Sequence, residues 1–193
     1  MADDERSAEA RAIAERALGR LLVASAPTSA QLIVLGGLVP PTLARTGVPE
    51  PPAHLGTTDV DVLLVTHHIL RVPEGDLHVQ IAGLAGYLLS KSAAARTRGA
   101  DKDYYDLAYV LLYNVAGGPT EAANIVKASQ LADVLPGMSS TFVEIRERFR
   151  DDRANGARAH AREALKVTPD DDQLILAADA AAAVNEFLAA LGQ

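Results

Sequence analysis

A chain of 193 residues with 49% hydrophobic content can bury the core of one medium domain or two small ones. It has no cysteine, which excludes a disulfide scaffold and a thiolate metal site. A formal net charge of −7 and the lack of tryptophan argue against a general nucleic-acid coat, but not against an enzyme that grips one nucleotide or one RNA end through a local basic patch.

The N-terminal run "MADDERSAEARAIAERALGR" is charged and helical, unlike a signal or transit peptide. No apolar run approaches ~20 residues, so the expectation is a cytoplasmic protein with no membrane partner. Residues 7–24 read as an amphipathic helix, with Ala10, Ile13, Ala14, Ala17, Leu18, Leu21 and Leu22 on one stripe. "QLIVLGG" reads as a short buried strand running into Gly36-Gly37. "LVPPTLART" is a turn or short helix, and the Pro- and Gly-rich "GVPEPPAHLGTT" a loop. "DVDVLLV" is the second strand, and Leu77 to Ile81 a further short one. From there the pattern is helical. One helix stops at Gly99, the next near Gly117-Gly118, and a third opens at Pro119 and runs towards Leu135. "STFVEIRERFRDD", "RANGARAHAREAL" and "TPDDDQLILAADAAAAVNEFLAAL" complete the helical part. His160 falls on a helix surface in this reading. Strands first and helices after predict an α+β fold. A small mixed sheet with helices would occupy residues 1–99, and a helical part residues 100–193.

Three features bear on chemistry. Paired glycines after a strand let the backbone approach a phosphate, although many such pairs are plain turns. Asp59 and Asp61 are two residues apart on a strand and share a face. Carboxylates in that arrangement suit Mg²⁺, which takes few protein ligands and fills its remaining positions with water and phosphate. A solvated strand edge is the ordinary alternative, and the low strand propensity of aspartate counts against it. In "KSAAARTRGADKDYYDLAYVL", Lys91, Arg96, Arg98 and Lys102 are positive, while Asp103 and Asp106 share one helix face. A pair of amphipathic helices with solvated charges would show the same pattern. His67 and His68 are adjacent on a strand and point to opposite faces, so they do not suggest a metal centre.

In this order, "VLGGL…HLGTTDVDVLL" resembles the nucleotidyltransferase superfamily that includes DNA polymerase β. "KSAAARTRGADKDYYDLAYVLL" is similar to the Lys…Arg…Lys-Asp-x-x-Asp-Leu segment of its AbiEii/AbiGii toxin-like group. The resemblance spans roughly Leu32 to Leu112. It implies that Asp59 and Asp61 bind Mg²⁺, that Gly36 and Gly37 lie along the phosphates of an NTP, and that Lys91 contacts the triphosphate. Asp103 or Asp106 would complete the catalytic set, with Arg96 and Lys102 beside the nucleotide. It further implies transfer of a nucleotide to an acceptor such as a tRNA-like RNA, and an antitoxin protein as a partner. The chain departs from the pattern in two respects: the loop-like spacer from Gly37 to Asp59 is longer than usual, and only 29 residues separate Asp61 from Lys91. An internal segment with a third carboxylate strand is absent, and Asp76 reads as a turn residue. A sheet this short would leave Ile69, Leu70 or Val79 uncovered, and a second copy of the chain is one cover for them.

Overall fold

The computed structural model describes residues 12–17, 33–35, 39–46, 50–54, 61–62, 67–72 and 75–193. These fall into two compact units, one of residues 1–42 and 54–83, the other of residues 43–53 and 84–193. The first long helix belongs to the second unit, where it packs with the helices that follow it.

In the first unit, helix α1 covers residues 12–17 and Ala14 is buried in it. Strand β1 is Ile33–Leu35, and α2 follows at Val39–Leu43. Strands β2 (Asp61–Val62), β3 (His67–Val72) and β4 (Gly75–Ile81) complete a four-stranded sheet of order β2-β1-β4-β3. β1 runs parallel to β4 and antiparallel to β2, and β3 and β4 form an antiparallel pair. Aliphatic and β-branched residues such as Ile69, Val72, Val79 and Ile81 suit this pairing.

The second unit contains α3 (Leu84–Arg98), α4 (Asp101–Tyr113), α5 (Pro119–Ala128), α6 (Ser139–Arg148), α7 (Asn155–Ala164) and α8 (Gln173–Leu191). α3 packs on α4, α5 and α6, while α8 lies against α4, α5 and α7. The chain is therefore mostly helical, which overturns the expected α+β fold with a mixed sheet as its core. The physical reason is one of volume. Among the described residues, the largest fully buried side chains come from the helical unit. Tyr87, Tyr105, Phe142, Phe149 and Phe187, all fully buried, lie in α3, α4, α6 and α8 or next to their ends.

Local chemistry sets the helix ends. Gly99, at φ +62°, closes α3 in the left-handed region that glycine enters freely. α5 begins at Pro119, whose missing N–H costs nothing in a first turn. It does not run to Leu135 as the sequence predicts. The Ser129 hydroxyl donates to Val126 O at 2.7 Å and accepts from Leu131 N at 3.1 Å. This competes with the helical ladder, and Ala132–Met138 continues as a 3₁₀ helix containing Pro136. Asp172 caps α8, accepting from Leu174 N at 2.7 Å and Ile175 N at 3.4 Å. Asp172→Ala is expected to cost about 1 kcal/mol, read as a lower urea midpoint at unchanged slope. By length and composition alone α8 could cross a membrane. Its buried side, including Ala177, Ala180, Val184, Phe187 and Leu188, is the face that meets the bundle.

The α6–α7 corner depends on Gly156. A Cβ there would lie 2.7 Å from Arg148 O and 2.7 Å from the Phe149 ring, neither of which is free to move. Phe149 is fully buried, meets Tyr104 edge-on at 5.9 Å, and its carbonyl accepts from Asn185 Nδ2 at 2.8 Å. Alanine has the better helix propensity by about 1 kcal/mol, but overpacking costs about 1–3 kcal/mol, so the clash decides the sign. Gly156→Ala is expected to lower the melting temperature by several degrees in a thermal scan.

Candidate functional site

The helical hairpin α3–α4 brings together the second group of predicted residues. Only Gly99 and Ala100 separate the two helices, so Lys91 faces the first turns of α4. Lys91 Nζ donates to Asp103 Oδ1 at 3.2 Å and to Asp106 Oδ2 at 2.7 Å. The spacing of Asp103 and Asp106 on one face lets a single ammonium reach both. Both carboxylates are buried, and the lysine residue is only 8% exposed. Arg98 joins from the last turn of α3, donating from Nη2 to Asp103 Oδ1 at 2.8 Å with its own side chain 56% exposed.

The cluster holds two cations and two anions. That balance matters because an uncompensated charge at this depth would cost several kcal/mol. Lys91 also lies 5.9 Å from the centre of the Tyr87 ring. Asp103 Oδ2 is buried without a hydrogen-bond partner. Beside the cluster, burial raises the pKa of the Tyr104 phenol, and nearby Arg148 partly offsets it.

The remaining candidates are placed as follows. Arg96 reaches α6, where Nη1 donates to Ser140 Oγ at 2.9 Å and to Thr141 Oγ1 at 3.2 Å, and Nε lies 3.5 Å from Glu144. Lys102 stands in the first turn of α4. Asp61 begins β2, and its backbone pairs with Leu35, the residue that precedes Gly36 in the chain. Asp59, Gly36 and Gly37 lie outside the described residues. Asp61 belongs to the first unit, and Lys91, Asp103 and Asp106 to the second.

Among the described residues, no group of three or more acidic or histidine side chains is placed to hold a metal ion. Asp103 and Asp106 already face Lys91 and Arg98, so their setting does not fit a divalent cation.

His160 corrects one expectation. It is 2% exposed, not on the helix surface, and its ring stacks on Tyr105 at 5.3 Å. Tyr105, Tyr109 and Tyr113 follow one another along α4, and the Tyr109 hydroxyl donates to Pro52 O at 3.0 Å. The i, i+4, i+8 spacing of these tyrosines was the available signal for a buried aromatic face that His160 joins. No protein-family model, no curated protein and no solved structure matches the chain.

Proposed function

We propose that the chain is a Mg²⁺-dependent nucleotidyltransferase, moving a nucleotide from an NTP to an acceptor that is an RNA with a tRNA-like end. The observation that supports it best is the Lys91–Asp103–Asp106 cluster. Three residues picked out by an ordered motif, separated by 12 and 15 positions, form one buried unit whose charge Arg98 balances. Solvated charges on an ordinary helix pair would not need to converge in this way.

In this reading Asp59 and Asp61 hold the ion, and Gly36 and Gly37 offer backbone amides to phosphate oxygens. Bound Mg²⁺ would supply stabilisation of charge on the triphosphate. Asp103 and Asp106 orient Lys91. Lys91 Nζ has three N–H donors and two of them meet these carboxylates, while the more exposed Arg98 can turn towards a phosphate without unburying its own charge. The acceptor and an antitoxin partner follow from the resemblance alone.

A second reading rests on the same cluster. Lys91 donates to two buried carboxylates, as a purely structural pin would. A non-catalytic protein that binds a nucleotide or a partner would keep such a pin. Incubation with each labelled NTP, Mg²⁺ and total tRNA separates the two. The enzyme labels the RNA with at least one NTP. The pin reading gives no label with any of the four.

A further inference from the structure

The six arginines between Arg146 and Arg162, in a stretch with no lysine, are not used by the proposed site. Three of them meet at the α6–α7 corner, where Glu144, Glu147, Arg148, Arg150, Arg153 and Asn155 surround an open cavity of about 360 Å³. That volume is within the range of small-ligand sites, which begins at about 300 Å³. It is too small for an extended strand of nucleic acid. The corner is firmly built, since Phe149 is buried beneath it and Gly156 is pressed against Arg148 O.

We propose that this cavity binds one phosphate monoester carried on a ribose-like, hydroxyl-bearing group. Guanidinium forks match phosphate oxygens in pairs. Arg153 is exposed, and its guanidinium makes no ion pair among the described residues. Arg150 has only Asp151, at 3.3 Å, with both side chains about half exposed or more. Such a pair is weak, so Arg150 can turn to a phosphate at little cost. Arg148 and Arg96 share Glu144, at 3.4 and 3.5 Å, which leaves that acid neutralised. No side chain caps α7, whose start lies on the cavity wall. Glu147 is exposed and makes no ion pair among the described residues. A lone carboxylate beside arginines disfavours a polyanion and accepts hydrogen bonds from hydroxyls, which gives the preference for a phosphorylated sugar over bare phosphate.

The same chemistry has two sources, a free nucleoside monophosphate and the phosphorylated end of an RNA. Calorimetry on the full chain tests both, with AMP, adenosine, inorganic phosphate and a 5′-phosphorylated RNA dinucleotide as probes. No metal or turnover is needed, so a failure here is distinct from a failure of nucleotide transfer. AMP, the phosphorylated dinucleotide or both are expected to bind saturably, and which of them binds names the source. Adenosine gives no binding, and inorganic phosphate binds more weakly than AMP or the dinucleotide. Arg150→Gln with Arg153→Gln weakens the affinity about tenfold or more, and Glu147→Gln reduces the margin over inorganic phosphate. All three side chains are exposed, and far-UV circular dichroism confirms that the variants fold. The proposal is overturned by no binding of AMP or the dinucleotide at millimolar concentration. It is equally overturned by an affinity unchanged in the double arginine variant, or by inorganic phosphate binding as well as AMP.

Discussion

Lys91→Met is expected to lower the unfolding free energy by about 3–5 kcal/mol, the range for a buried ion pair that loses one partner. Two buried carboxylates would lose their shared ammonium, and Asp106 would lose its 2.7 Å contact with Lys91 Nζ. Arg98 would remain on Asp103 but is more than half exposed, so it compensates only in part. Arg98→Ala should therefore cost about 1 kcal/mol or less. Urea denaturation followed by circular dichroism measures both. Adding Asp103→Asn and Asp106→Asn to Lys91→Met should recover part of the loss, because the uncompensated charge is then gone. A Lys91→Met protein as stable as the parent would show that the cluster carries no weight in the fold.

The second large effect concerns the strand aspartates. Asp59→Asn with Asp61→Asn is expected to reduce Mg²⁺-dependent nucleotide transfer by about a hundredfold or more, the scale of losing a charge-stabilising group in a reacting site. A retained far-UV spectrum separates this from unfolding. Lys91→Met tests a different point, because its loss of activity would come with a loss of stability. Arg98→Gln keeps the buried Lys91–Asp103–Asp106 contacts. If Arg98 meets the nucleotide, this variant raises the KM for NTP with little change in melting temperature. An unchanged KM assigns Arg98 to the hairpin alone.

Much of the helical unit was legible in the sequence. Apolar periodicity placed α3, α4 and α6 to α8, and Gly99 and Pro119 marked ends that the structure shows. The fold class was not legible in the same way. Strand signals in "QLIVLGG" and "DVDVLLV" coincide with β1 and β2, but the largest side chains buried among the described residues belong to the helical unit. Chain order gives the sequence of elements and not the volume each one buries, which is why an α+β core was expected and a mostly helical chain was found. The 3₁₀ segment after α5 escaped for a local reason: Ser129 competes for the backbone, a tendency that propensity alone weighs too lightly.

The candidate site divides in a similar way. The shared face of Asp103 and Asp106 could be read from their spacing. Their convergence on Lys91 depends on the two-residue connection between α3 and α4, and that is a tertiary fact. Lysine near acids in sequence usually means a solvated pair, and only burial turns this one into a pin. The arginine cavity needed the α6–α7 corner, whose key residue is a glycine that a sequence pattern would call a helix defect.

The most direct test of the proposed function is a crystal structure of the full chain soaked with Mg²⁺ and a non-hydrolysable NTP. The account predicts an ion bound by the carboxylates of Asp59 and Asp61, with the triphosphate running along Gly36 and Gly37. Asp59 and Asp61 carrying no ion, with the nucleotide absent or bound away from the glycine pair, would contradict it.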